Sequence, residues 1–221
     1  MKTEIPFIEC ESDSFKLKGI DIIRIEDLAE RNENSNSILE KPHIFDFYAF
    51  VFYTEGVSEH LVDFVWHKVQ KKTLVYLTEG QINAFKFKKN LKGFIILFNK
   101  EYLNKQLNKI PKEAMVCLFT PHLFASTFKI PENLNIENYI NSLYEEYNSG
   151  IDDSSKNYII DSLYSIIFAK IEQLKKHNVL FPNESDKLSL FLKFKNILEM
   201  ELIKWEKKLF LNHFNVILYN P

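Results

Sequence analysis

Over the first 130 residues the apolar positions come in short blocks. IDIIRI (20–25), FDFYAFVFYT (45–54), SEHLVDFVW (58–66), TLVYLT (73–78), INAFKF (82–87) and GFIILF (93–98) all have strand length. Glu55-Gly56, Lys71-Lys72, Glu79-Gly80 and Lys89-Asn90 bound them as turns. Short strands at even spacing predict a sandwich or barrel. The intervals are too short for crossover helices, so the pairing should be mostly antiparallel. Beyond residue 130 the period becomes helical. Pro131-Glu132-Asn133 opens a helix over 136–148, closed by Asn148-Ser149-Gly150. Asp152, Asp153 and Ser154 offer N-caps for a long helix over 154–177, which Asn178 and Pro182 end. A further helix starts near Ser185-Asp186 and runs to residue 207.

The long helix carries two apolar stripes. Ile160, Tyr164, Ile167, Ile171 and Leu174 follow a 4-3-4-3 spacing, a heptad seam. Ile159, Leu163 and Ile166 run beside it. Two readings stand open. The stripes form one broad core face, or one of them packs against a second copy of the helix in a homodimer.

Composition narrows the class. With 221 residues the chain can bury a core without staples. Hydrophobic residues at 46% and charged residues at 26% describe an ordinary soluble globular chain. The 20 Phe and only 5 Gly argue against a glycine-rich phosphate loop, and neither GxGxxG nor a P-loop pattern occurs. A net charge of −2 argues against the whole chain being a nucleic-acid binder. Cys10 and Cys117 lie far apart and read as reduced structural thiols, which suits a reducing compartment. MKTEIPFIECESD has no signal-peptide core, and no apolar run approaches the roughly 18 residues of a membrane span. A cytoplasmic location without membrane contact is expected.

Catalytic groupings are scarce. The histidines at 43, 60, 67, 122, 177 and 213 form no HxH or HExxH pattern. From His43 the positions that would share a strand face at i+2 and i+6 hold Phe45 and Ala49, neither a ligand. There is no GxSxG, and no Cys stands near a His base. Asp152-Asp153 and Glu145-Glu146 read as helix-end charge, and Lys88-Lys89 and Lys175-Lys176 as solvated faces. No enzyme activity, metal or cofactor is expected.

The order of segments resembles the N-terminal sensor domain of AraC-family transcription regulators. That family commonly shows a Pro-His-x-His-Asp-Phe-Tyr-Glu start, a Thr-x-Gly turn and a Ser-Pro-Gly-Gln-x-His turn. The matching stretches here are Pro42 to Ala49, Thr54-Glu55-Gly56, and Thr78 to Asn83. Leu143 to Tyr147 and Leu190 to Phe194 resemble the family's helical part, so the resemblance spans roughly residues 20–200. It implies an α+β chain: an antiparallel double-stranded β-helix (a cupin-like jelly roll) followed by an α-helical dimerisation and linker region. The domains would be a barrel over 1–130, helices over 131–207 and an apolar tail over 208–221.

The resemblance also places a site. The metal ligands of cupin enzymes would map to His43, Phe45, Ala49 and Asn83, three of which bind metal poorly or not at all. The wall is then a pocket or a filled core, with no metal. Strand parity puts His43, Phe45, Phe47, Ala49, Val51 and Tyr53 on one face, with Asn83 and Phe85 facing it. These eight residues are the expected effector site, and Ile160, Tyr164, Ile167, Ile171 and Leu174 the expected dimer surface. LFLNHFNVILYNP (209–221) shows no helix-turn-helix. DNA contact is therefore expected only through a domain absent from this chain. The alternatives are a ligand-free interaction module that pairs with itself or a full-length regulator, and, further off, a metal-dependent cupin enzyme.

Overall fold

The computed structural model describes residues 5–8, 17, 19–33, 37–107, 126–150 and 154–177, all within one compact unit, Met1–Asn178. The expectations for Cys10, Cys117, the helix over 185–207 and the tail over 208–221 lie outside the described residues. The strands are β1 (Phe7–Ile8), β2 (Ile20–Arg24), β3 (His43–Phe45), β4 (Tyr48–Glu55), β5 (Val57–Val62), β6 (Val65–Gln70), β7 (Thr73–Leu77), β8 (Ile82–Phe85), β9 (Lys92–Phe98) and β10 (Thr127–Lys129). The helices are α1 (Ile25–Glu33), α2 (Lys100–Leu107), α3 (Ile136–Asn148) and α4 (Ser154–His177).

Among the described residues the fold is mixed α+β with two five-stranded sheets. Sheet A has the order β1-β3-β8-β5-β6 and sheet B the order β10-β7-β4-β9-β2. Every pairing is antiparallel except β1 with β3. Two blocks that read as single strands are each divided. SEHLVDFVW turns at Asp63 and Phe64, both with positive φ, into the β5–β6 hairpin. Asp63 holds the turn by accepting from Gln81 Nε2 at 2.7 Å and from the Ile82 N–H at 3.3 Å. FDFYAFVFYT breaks at Asp46-Phe47, which takes the chain from β3 in sheet A to β4 in sheet B.

β4 is the central strand of sheet B and is buried on both sides, which is why its sequence runs almost unbroken in apolar residues. Its inward residues Ala49, Val51 and Tyr53 join Val75, Leu77 and Ile95 in the cluster between the sheets. Its outward residues Tyr48, Phe50 and Phe52 join Leu74, Tyr76, Phe94, Ile96 and Phe98 under α3 and α4. Gly93 lets β9 close on this strand. A Cβ there would stand 2.1 Å from the Phe52 carbonyl oxygen.

The heptad seam of α4 is part of this second cluster. Ile160, Tyr164, Ile167, Ile171 and Leu174 are all buried within the chain, beside Phe168. The Phe50 and Phe168 rings meet edge to face at 5.8 Å, and Phe98 and Tyr164 at 5.3 Å. The expected dimer surface is therefore corrected: these five residues are buried in the cluster on sheet B of their own chain, because that sheet needs cover on its outer side. The stripe left outward on α4 is Tyr158, Ile159 and Ile166. α2 is pinned to α4 by Asp161, which accepts from Tyr102 Oη at 2.9 Å, Gln106 Nε2 at 3.0 Å and Lys105 Nζ at 2.8 Å.

Candidate functional site

The space between the sheets has two unlike walls. In sheet B, β4 pairs with β7 so that Ala49 faces Leu77, Val51 faces Val75 and Tyr53 faces Thr73. This wall is apolar apart from the last pair. In sheet A, His43 of β3 lies opposite Asn83 of β8, and Phe85 of β8 opposite His60 of β5. His60 in turn lies opposite His67 of β6. Strand parity puts His43, Asn83, His60 and His67 on the face that carries Phe45, Val62, Val69 and Phe85 of the inner cluster. His43, His60 and Asn83 are at most 1% exposed.

Each of these three side chains uses only part of its hydrogen-bonding capacity. His43 Nδ1 lies 2.8 Å from the Lys41 carbonyl oxygen. Asn83 Nδ2 donates to the His43 carbonyl at 3.4 Å. His60 Nδ1 lies 2.8 Å from the Tyr53 hydroxyl. The other end of each group, His43 Nε2, His60 Nε2 and Asn83 Oδ1, is buried without a partner. Ordinary interiors pair such atoms, so three of them on one wall mark it as unusual.

Burial keeps the histidines neutral. It pushes His60 down to about 3, with His43 and His67 nearby adding to the effect. It also lowers His43, outweighing the bond to the Lys41 carbonyl, and lowers His67. Burial raises the Tyr53 hydroxyl, which stays protonated. Among the described residues, no group of three His, Cys, Asp or Glu side chains is placed to hold a metal ion.

All eight residues expected at an effector site reach this interior. Phe45, Phe47, Ala49, Val51, Tyr53 and Phe85 belong to its apolar cluster, and His43 and Asn83 to its polar wall. They do so from two sheets, because the chain crosses at Asp46-Phe47. The rings pack on each other: Phe45 stacks on Phe47 at 4.3 Å, His43 meets Phe45 edge-on at 4.6 Å, and His60 lies 4.4 Å from Phe85. Phe45 and Ala49, which the resemblance matched to metal-ligand positions, are buried apolar side chains. Sequence reasoning missed His60 and its bond to Tyr53. The alternation Ser58, His60, Val62 was a signal for a shared face, but a search for metal spacings passes over it.

The sequence matches no protein-family model and no curated protein. Several solved structures are similar. ToxT from Vibrio cholerae bound to (E)-4-(8-methylnaphthalen-1-yl)but-3-enoic acid is 14% identical, with a TM-score of 0.41 over 77% of this chain and 62% of that one. Unsaturated fatty acid bound wild-type ToxT from Vibrio cholerae is 11% identical, with a TM-score of 0.41 over 76% and 59%. The AraC-like transcriptional activator CuxR is 12% identical, with a TM-score of 0.40 over 76% and 53%. The match spans about 61% of the length of a further ToxT structure from Vibrio cholerae. At these scores the likeness carries no argument about function. No helix among the described residues is long and apolar enough to cross a membrane.

Proposed function

We propose that this chain is the small-molecule-sensing part of an AraC-like transcription regulator, a cupin-like jelly roll that holds an effector between its two sheets. The observation that carries the reading is the polar wall, with three fully buried atoms of His43, His60 and Asn83 left unpaired. Binding sites are largely apolar with a few placed polar groups, which is the composition of this interior. The motif order of the sequence supports the same reading.

β4 supplies the read-out. Its inward side chains line the interior and its outward Phe50 and Phe52 press on the layer that includes α4. An effector favouring one setting of β4 would shift α4 with it. In this reading the chain is not an enzyme, works in the cytoplasm as a homodimer, and leaves DNA contact to a domain outside the described residues. Hydrogen exchange on the full chain tests it. A compound that raises the melting temperature should also raise protection in β4 and α4. A stabilising compound that changes protection in neither element sinks the read-out. Tight sequence-specific DNA binding by residues 1–178 would sink that division of labour.

The stacked rings of Phe45, Phe47, Phe85 and Phe87 favour a second reading, an interaction module with a filled barrel and no effector.

A further inference from the structure

The hydrogen-bonding roles of the polar wall can be assigned atom by atom. A carbonyl oxygen only accepts, so His43 Nδ1 carries the proton in its bond to Lys41, and Nε2 of the neutral ring is an acceptor. Asn83 is oriented by its Nδ2 donating to the His43 carbonyl, which leaves Oδ1 as an acceptor. The Tyr53 hydroxyl has one proton and, among the described residues, one partner, His60 Nδ1. Donating that proton satisfies both groups and makes His60 Nε2 an N–H donor. The unmet set is therefore two acceptors and one donor, on adjoining strands of one sheet. The inward positions of β3 to β8 carry no Asp, Glu, Lys or Arg.

We propose that His43 Nε2, Asn83 Oδ1 and His60 Nε2 recognise the head of an uncharged, otherwise apolar ligand, an alcohol or a primary amide. This rests on the reading of the barrel as a ligand site and names the ligand class for it. A primary amide offers two donors and one acceptor, the complement of the wall. An alcohol donates to one acceptor and accepts from the His60 N–H. A carboxylate brings acceptors alone to a wall with two acceptors and no cation, and its charge would go uncompensated. A hydrocarbon leaves all three atoms unmet. Sites built to hydrogen-bond a buried group reject analogues that lack it. A single buried water has the same complement and is the competing occupant.

The test uses the full chain and four probes of equal length near neutral pH: decanamide, 1-decanol, decanoate and decane. Calorimetry should find the amide and the alcohol at least tenfold tighter than the other two, and Asn83→Leu should remove most of that preference. Nitrogen NMR of the histidines should show His43 protonated at Nδ1 and His60 at Nε2. Both wild-type measurements stand even if the variant fails to fold. Decanoate binding as tightly as the alcohol overturns the neutral-head inference while the ligand-site reading survives. Decane binding as tightly does the same. Reversed tautomers overturn the donor and acceptor assignment whatever binds. Binding of none of the probes, with the tautomers as stated, means a bridging water only, and the ligand-site reading falls with the inference.

Discussion

The outer face of sheet B and the inner face of sheet A are both buried, yet they differ in the polar groups they enclose. Under α4, Phe50, Phe98, Tyr164 and Phe168 meet ring to ring among Ile, Leu, Phe and Tyr side chains, and the Tyr164 hydroxyl is buried there without a partner among the described residues. On the inner wall of sheet A, His43, His60 and Asn83 are equally buried and keep hydrogen-bonding capacity unmatched. Burial by itself does not separate a core from a site. The separating feature is how unpartnered atoms gather: His43 Nε2, His60 Nε2 and Asn83 Oδ1 lie on three adjoining strands of one sheet. Each prediction below acts on one side of this contrast.

The largest effect is expected at the helix seam. Ile167→Lys puts an unpaired charge among apolar side chains, at a cost of about 3–5 kcal/mol, comparable with the whole stability of a small domain. Ile166→Lys, one residue away on the outward stripe, should change stability by no more than about 0.5 kcal/mol. Urea unfolding of the two variants makes the comparison directly. Equal effects would mean that the seam is not the buried side of α4. Light scattering on Ile166→Lys across a dilution series adds the oligomeric test. A dimer lost in that variant, with the fold intact, would assign self-association to the outward stripe.

Acid comes next and acts on the other wall. His60 is held neutral, pushed down to about 3, while in the unfolded chain a histidine titrates near 6.5. A folded pKa below the unfolded one means that the unfolded state takes up the proton first. The contribution is therefore constant well above pH 6.5 and is lost as pH falls toward the folded value. The slope approaches roughly 1.4 kcal/mol per pH unit for one group below pH 6.5, or about 2 kcal/mol in all between pH 6.5 and 4.5. His43 and His67, also lowered, act in the same direction. Chemical denaturation across this range should show the fall, and His60→Leu should flatten it. A slope unchanged by that substitution would remove His60 from the account.

Gly93→Ala should cost about 1–3 kcal/mol. The new Cβ would meet backbone, the Phe52 carbonyl, as well as Ile25 Cδ1 at 2.8 Å. A neutral result by thermal unfolding would mean that β4 and β9 can part at that point without loss.

Much of this architecture could be read along the chain. The helices over 136–148 and 154–177 keep the bounds that their caps and periods predict, and the apolar blocks became strands. The breaks were harder. The Asp63-Phe64 turn has no glycine to announce it, and the crossing at Asp46-Phe47 has neither glycine nor proline. α1 begins at Ile25, the last residue of an apolar block, and so was hidden by it. The seam of α4 was visible, but spacing defines a face without naming what covers it. Its cover is sheet B, whose strands lie far back in the chain. The polar wall shows the same limit. His43 and Asn83 could be paired through a family resemblance, whereas His60 meets Tyr53 only through sheet register, which no local spacing displays.

The smallest effect is the most telling for the contrast between the walls. Removing His60 and Tyr53 together, as His60→Leu with Tyr53→Phe, deletes both partners of the 2.8 Å bond and one unmet donor. Replacing both halves of a buried hydrogen bond with apolar groups is close to neutral, and removing an unpaired polar atom is favourable. The expected change is within about 1 kcal/mol of zero, and stabilising if the volume is well filled. Phe50→Ala under α4 should instead cost about 3–5 kcal/mol. If the double substitution at neutral pH cost as much as Phe50→Ala, the inner wall would be a structural core like the outer one. A neutral or stabilised variant would show a wall kept polar at no benefit to the fold, which is what selection for a bound group leaves behind.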